Sequence, residues 1–134
     1  MSSSTYQAVT RGIRVSVSPQ YLAHESDPDE NRYFWAYTIT IDNEGTETVR
    51  LRTRHWKITD QTGHVDEVRG PGVVGQTPLI GPGESFTYTS GCPLKTPSGI
   101  MLGSYQVTTR EGPAFNVKIP AFSLDSPYAI RSMN

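Results

Sequence analysis

The stretch YFWAYTITID, residues 33–42, decides the fold that this sequence predicts. Its odd-numbered side chains are all large and apolar: Tyr33, Trp35, Tyr37, Ile39 and Ile41. Its even-numbered side chains are small or polar, apart from Phe34. This period of two is typical of a β-strand that buries one face and exposes the other. The stretch therefore predicts a strand on the surface of an apolar core.

Similar strands are predicted on both sides of this stretch. Ile13, Val15 and Val17 alternate with polar side chains and predict an earlier strand. The turn residues Asn-Glu-Gly-Thr at 43–46 predict a return into a third strand, residue 48 to about residue 59, as an antiparallel neighbour of the opening stretch.

The third strand changes the parity of its apolar side chains. Val49 and Leu51 occupy odd positions, whereas Trp56 and Ile58 occupy even positions. One unbroken register would bury charged side chains, so the pattern predicts a β-bulge near residues 53–55, which inserts one residue and resets the face.

The rest of the chain continues as short strands separated by turn residues. The pattern predicts them over residues 65–68, 86–90, about 100–109 and about 114–124, with Pro120 marking an edge or a bulge in the last. About seven such strands with no helical periodicity predict an all-β, antiparallel sandwich. We expect the domain to span residues 11–124, between a flexible N-terminal segment at 1–10 and a C-terminal tail at 125–134.

The charge balance and apolar content argue against some classes of partner. Lys and Arg number 12 and Asp and Glu number 13, for a net charge of -1, so the chain has no overall basic field to attract nucleic acid or anionic lipid. No apolar run approaches the ~20 residues that cross a bilayer. We therefore expect neither a nucleic acid nor a membrane partner.

The cysteine count and the N-terminal residues favour a cytoplasmic location. Cys92 is the single cysteine and cannot form an internal disulfide, and residues 1–6 lack the apolar core of a signal peptide. Both features suit a reducing compartment.

A glycine-rich loop, GPGVVG at residues 70–75, matches the spacing of a dinucleotide-binding fingerprint. That fingerprint needs a following helix, which Pro78 and the Gly-Pro-Gly of 81–83 exclude, and no acidic residue stands at the required distance. Two interpretations stay open. Glycines supply the backbone freedom for a tight turn, which is the favoured interpretation. Alternatively, backbone N–H groups and nearby arginines bind a pyrophosphate or nucleotide through Gly70, Gly72, Gly75, Arg69, Arg52 and Arg54.

No catalytic or metal-binding set can be assembled from the sequence. Cys92 lies between Gly91 and Pro93 without a nearby base, which predicts an inert thiol. His24, His55 and His64 lack zinc-type spacing. We therefore predict no enzymatic activity, no metal site and no cofactor.

Four blocks of sequence carry a resemblance to a known family: RHWxITDxxG at 54–63, GxGVVGxxP at 70–78, PGxxFxYxS at 82–90 and GxMxGxY at 99–105. In this order they resemble the bacterial ApaG family, and the likeness extends over nearly the whole chain. The resemblance implies an immunoglobulin-like or fibronectin type III-like sandwich and a cytoplasmic protein with a genetic link to cobalt and magnesium homeostasis. Pro71 departs from the family, which usually has an acidic residue there.

Together these observations predict a non-catalytic binding module with a protein partner. The resemblance adds that related domains occur in F-box substrate adaptors and in a polymerase-delta-interacting protein, where they are credited with binding. Binding of pyrophosphate or a nucleotide at residues 70–75 is the alternative.

Overall fold

The structure, a computed structural model, describes residues 5–129. These residues form nine strands and two short 3-10 helices, Ala23–Glu25 and Pro28–Glu30. The strands are β1 (Tyr6–Thr10), β2 (Ile13–Tyr21), β3 (Tyr33–Asn43), β4 (Val49–Asp60), β5 (Val65–Pro71), β6 (Leu79–Ile80), β7 (Ser85–Leu94), β8 (Ser98–Thr109) and β9 (Phe115–Asp125).

Two antiparallel sheets face each other as a sandwich, which confirms the predicted fold class. The first sheet has the order β1-β2-β3-β7. The second has the order β5-β4-β8-β9, with β6 beside the start of β4. The described chain has more strands than the sequence predicted because β1 and the two-residue β6 carry too few residues for a readable alternation.

The core forms where period-two alternation predicted it. The odd-numbered side chains of β3 are all buried, as are Ile13, Val15 and Val17 of β2. Opposite them, Tyr105, Val107, Val117 and Ile119 of the second sheet are almost fully buried. These side chains fill the space between the sheets and supply most of the apolar stabilisation.

The predicted pairing of β3 with the strand after it is wrong. β3 pairs with β2 and β7, whereas β4 lies in the other sheet and pairs with β5, β6 and β8. The buried Asn43 side chain holds this crossover: Nδ2 donates to the carbonyl oxygens of Glu47 at 2.7 Å and Ile80 at 2.9 Å, and Oδ1 accepts from the Gly45 N–H at 2.9 Å.

The parity change in β4 is a register irregularity, as the sequence predicted, but it lies slightly earlier. The pairing of β4 with β8 shifts between Leu51 and Thr53, so Arg52 is the extra residue. Beyond it Trp56 is buried, which is the predicted reset of the face. A second irregularity in the β8–β9 pairing leaves Pro120 unpaired in an edge strand, where its missing N–H costs no hydrogen bond.

The predicted domain boundaries need correction at the N-terminus. Residues 6–10 belong to β1 and pair with β2, so they are part of the sandwich and not of a flexible segment. Residues 1–4 and 130–134 lie outside the described residues. The first residues of the predicted C-terminal tail are packed on the sandwich. Asp125 is the last residue of β9, and the Tyr128 ring lies near the rings of Tyr21 and Tyr33.

The two long sides of the sandwich differ. On one side β9 packs across β1 and β2, and the Lys118 N–H donates to the Thr10 hydroxyl at 3.1 Å. On the other side the edge strands are β5 and β7, and they do not close on each other. The sandwich is therefore open between β5 and β7.

Candidate functional site

The open side contains a cleft of about 600 Å³ between β5 and β7. Its size falls within the ~300–1,000 Å³ typical of ligand pockets. Apolar and polar groups both line its walls, and polar groups come from both sheets. This is the candidate site.

The second sheet forms one wall through three cross-strand pairs of β4 and β5. Arg54 lies opposite Gly70, Trp56 opposite Val68 and Ile58 opposite Asp66. Because Trp56 is buried and side chains alternate along a strand, these pairs share the inner face of the sheet. Apart from Gly70, every residue of β5 is exposed, so no described residue covers the inner face of this strand.

The first sheet forms the other wall through β7. Tyr88, Ser90, Cys92 and Leu94 alternate inward along this strand. The Asn43 N–H donates to the carbonyl oxygen of Glu84. This hydrogen bond shows which residues of β7 direct their backbone groups toward β3, namely every second residue counted from Glu84. By antiparallel alternation, the backbone groups of Thr87, Thr89 and Gly91 point away from β3 toward the free edge.

Two phenols, those of Tyr37 and Tyr88, line the cleft, and a third, Tyr105, is fully buried next to Tyr88. The Tyr88 and Tyr105 hydroxyls form a hydrogen bond of 2.5 Å, and Tyr37 packs its ring against Trp56 with centroids 5.4 Å apart. Burial raises the pKa of Tyr37, Tyr88 and Tyr105, and the nearby Arg54 charge offsets a small part of each shift. All three phenols are therefore neutral at pH 7.

Arg54 is the cation of the cleft. Its Nη1 donates to the carbonyl oxygens of Pro71 at 2.9 Å and Gly72 at 3.0 Å, so the loop holds the guanidinium in place. A Cβ on Gly70 would lie only 3.1 Å from Nη1 and Nη2, which shows that glycine makes room for the group. Within residues 5–129 Arg54 forms no salt bridge.

Cys92 is buried in the same wall and is a poor nucleophile. Burial raises the pKa of its thiol to about 11, so the reactive thiolate is scarce at neutral pH. That this thiol is inert stays a prediction.

The glycine-rich loop folds as a tight turn. Val73 and Gln76 exchange two backbone hydrogen bonds of 2.8 Å, and the central residues Val74 and Gly75 have φ of +42° and +80°. These signs are those of a type I′ turn. Gly72 has φ of +59°, and a Cβ there would lie 2.1 Å from the Gln76 carbonyl oxygen, so no other residue fits.

The structure brings together only part of the predicted anion-binding set. Gly70, Gly72 and Arg54 lie together, but the Gly72 N–H donates to the Arg52 carbonyl oxygen at 2.8 Å. Arg69 lies opposite His55 on the outer face and contacts Glu67 at 3.3 Å. The Arg52 Nε donates to the Thr108 hydroxyl at 2.9 Å. Gly75 lines the cleft from the turn. Anion binding by these residues stays a prediction.

The turn itself yields a stability prediction. A β-branched residue at positive φ is strained, and Val74 is half-exposed, with 51% of its surface accessible. Val74→Asn creates the Asn-Gly pair that type I′ turns prefer and should raise the free energy of unfolding by about 1 kcal/mol. Urea denaturation measures the change. Val9→Asn, at another exposed valine but in strand β1, is the control and should not stabilise; an equal gain there would contradict the strain argument.

A smaller cavity of about 470 Å³ adjoins the cleft and shares Asp66, Pro93 and Leu94 with it. His64 lies 3.1 Å from Asp66 there, and both side chains are largely exposed. In the part of the chain that the structure describes, no three His, Cys, Asp or Glu side chains are placed to hold a metal ion. Nor does any helix among those residues have the length and apolarity to cross a membrane.

Sequence reasoning missed the cleft although it identified several of its residues. The predicted bulge placed Trp56 on the buried face, but no pattern predicted a role for Val68, Asp66 or the inner side chains of β7 other than Cys92. No local pattern could have found them, because β5 and β7 belong to different sheets and meet only through the fold.

Comparisons with known proteins agree on one family. The ApaG domain family matches residues 23–109. The protein ApaG of Parvibaculum lavamentivorans is 62% identical over 129 residues, covering 96% of this chain and 99% of that protein. The protein ApaG of Rhodospirillum centenum is 63% identical over 123 residues, covering 92% and 95%. A crystal structure titled as the putative ApaA protein from Bordetella pertussis has a TM-score of 0.83 and 47% identity, covering 92% of this chain and 98% of that one.

Proposed function

The chain belongs to the ApaG domain family, and from that premise we propose that it is a non-catalytic module that binds a protein partner in the cleft between β5 and β7. The observation that carries the proposal is the uncovered inner face of β5 beside the free edge of β7. An extended segment that pairs with β7 would cover that face and would use backbone groups that have no strand partner in the described sheet.

The chemistry of the cleft supports binding over catalysis. Its titratable groups are neutral phenols, a guanidinium, a buried thiol whose pKa is raised, and the carboxylates of Asp66 and Glu67. The phenols and the thiol are not bases poised near neutral pH, and the two carboxylates contact His64 and His55 instead of a nucleophile. Its apolar wall suits contact with side chains of a partner.

A proline substitution at the free edge tests the proposal. Thr89→Pro removes an N–H that points away from β3, so the sheet keeps its hydrogen bonds while an added strand loses one. We expect crosslinking in native cell extracts to capture a partner with the natural chain and to lose it with Thr89→Pro.

The matched control is Thr89→Ala, which also loses the hydroxyl contact to Thr38 but keeps the N–H. It should capture the partner as the natural chain does, with both variants showing an unchanged β-sheet circular dichroism spectrum. Equal capture by Thr89→Pro, or capture of no partner at all, would contradict the proposal.

The alternative function, pyrophosphate or nucleotide binding at residues 70–75, has its own test. We expect the amide resonances of Gly70, Gly72 and Gly75 to stay in place when pyrophosphate or diadenosine tetraphosphate is titrated to millimolar concentration. The reason is that the Gly72 N–H already donates to the Arg52 carbonyl oxygen, while Arg69 and Arg52 are engaged by Glu67 and Thr108 away from the loop. Saturable shifts at these glycines that weaken with added salt would instead favour the alternative.

We also propose that the protein acts in the cytoplasm. We propose further that it contributes to cobalt and magnesium homeostasis, the process that the family resemblance implies. The link to these cations would be indirect and act through the protein partner. Calorimetric titration showing tight binding of Co²⁺ or Mg²⁺ to the isolated chain would rule out the indirect route.

A further inference from the structure

The cleft presents three different surfaces in a row along its second-sheet wall. The pair Arg54–Gly70 is cationic, the pair Trp56–Val68 is apolar, and the pair Ile58–Asp66 ends in a carboxylate. Successive pairs are two residues apart on each strand, which is about 6.6 Å. An extended segment presents alternate side chains at this same spacing, so three of its side chains can face the three pairs in register.

The charges at both ends are available to a ligand. Every side-chain hydrogen bond that Arg54 donates to described residues uses Nη1, so Nε and Nη2 can serve a carboxylate. Asp66 has only His64 as an ionic contact among residues 5–129, and their side chains are 68% and 66% exposed. Such an exposed contact is weak, so a cationic side chain of a ligand can readily replace His64 beside Asp66.

An added strand could pair with the free edge of β5 or with that of β7, and the two choices bury different surfaces. A segment on the free edge of β5 would extend the second sheet away from the sandwich and would leave the inner face of β5 uncovered. On the free edge of β7 it would lie under the inner face of β5 and would cover Val68, which is 40% exposed. Burial of apolar surface therefore favours the edge of β7.

The direction of the segment follows from the sheet it joins. All strand pairs in the first sheet are antiparallel. β7 runs from Tyr88, near Arg54, to Leu94, which adjoins Asp66. An antiparallel segment would therefore start at Asp66 and end at Arg54.

We propose, on the basis of the proposed function, that the cleft selects an extended peptide segment with the order basic–x–apolar–x–acidic from N- to C-terminus. The basic side chain pairs with Asp66, the apolar one packs on Trp56 and Val68, and the acidic one pairs with Arg54. The segment forms backbone hydrogen bonds with Thr87, Thr89 and Gly91 of β7.

Two synthetic peptides of equal composition test this order. Fluorescence anisotropy with labelled Thr-Lys-Thr-Val-Thr-Glu-Thr and its reversed-order counterpart Thr-Glu-Thr-Val-Thr-Lys-Thr should give about tenfold tighter binding of the first, because two like-charge contacts replace two ion pairs in the second. Equal affinities, or tighter binding of the reversed order, would overturn the proposed selectivity.

A charge variant links the preference to the cleft. Asp66→Lys should weaken binding of the first peptide and favour a peptide with glutamate at both ends, whereas Glu111→Lys, the same charge change at an exposed site in the β8–β9 turn, should change neither. An unchanged order of affinities in Asp66→Lys would contradict the assignment.

The outcomes separate this inference from the function it rests on. If neither peptide binds at millimolar concentration, the inference is overturned, while the Thr89→Pro comparison with the natural partner still decides the proposed function. Concentration-dependent dimerisation that Thr89→Pro abolishes would assign the cleft to a second copy of the chain and would likewise overturn the peptide selectivity.

Discussion

Trp56→Ala should lower the free energy of unfolding by about 3–5 kcal/mol, a large part of the ~5–15 kcal/mol that holds a domain of this kind together. Trp56 is 3% exposed and makes edge contacts with the ring of Tyr37 in the other sheet and with that of Phe122 in its own sheet, at centroid distances of 5.4 and 6.0 Å. The neighbouring position on β8 is Gly103, which has no side chain that could fill the cavity left by the indole ring. Chemical denaturation followed by circular dichroism measures the loss.

Lys57→Ala is the matched control for this substitution. Lys57 is the next residue of β4 but points outward and is exposed, so its removal should change the stability by less than about 0.5 kcal/mol. A loss below 1 kcal/mol for Trp56→Ala would mean that the two sheets do not pack through this ring.

Asn43→Asp is expected to have a comparable effect through hydrogen bonding instead of packing. The Asn43 side chain is 1% exposed, and Nδ2 donates to two carbonyl oxygens that an ionised carboxylate would repel. Leaving two buried acceptors without donors should cost roughly 2–6 kcal/mol. Thermal and chemical unfolding at pH 7 measure this cost.

The pH dependence gives this prediction a second readout. In the variant, burial and the two carbonyl oxygens favour the neutral acid, so the pKa of the new carboxyl is higher in the folded chain than the ~3.9 of an unfolded one. The penalty relative to the natural chain is therefore full above the folded pKa and shrinks as the pH falls toward the unfolded pKa, where the protonated acid donates one hydrogen bond.

Asn116→Asp makes the same chemical change at an exposed position of β9. It should lower the free energy of unfolding by less than about 0.5 kcal/mol, both at pH 7 and at lower pH. If the two variants lose equal stability, the crossover from β3 to β4 does not depend on the Asn43 amide.

Alternation of side chains in β2, β3 and β9 was sufficient to predict their buried faces and hence the sandwich. Alternation depends on one local fact, that successive side chains of a strand point to opposite faces. The parity change in β4 could be predicted for the same reason, because Val49 and Trp56 must both be buried. The ApaG resemblance was also contained in the sequence, since it rests on residue identity and spacing.

The alternation of side chains along a strand does not predict which strands pair with each other. The turn after Asn43 suggested a hairpin, yet β4 joins the other sheet because the buried Asn43 amide satisfies carbonyl groups 4 and 37 residues away in sequence. Likewise, no window of sequence contains both β5 and β7, and the cleft exists only because the β9 side of the sandwich is closed and the opposite side is open.

The period of two in residues 33–42, together with the similar strands around it, by itself determined that this chain is a β-sandwich with one face of each central strand buried. Only the tertiary structure decided that Arg54, Trp56 and Asp66 face a cleft beside the free edge of β7. The physical reason is that burial of a face is fixed by neighbouring side chains on one strand, whereas a binding surface forms where strands distant in sequence are brought together by packing.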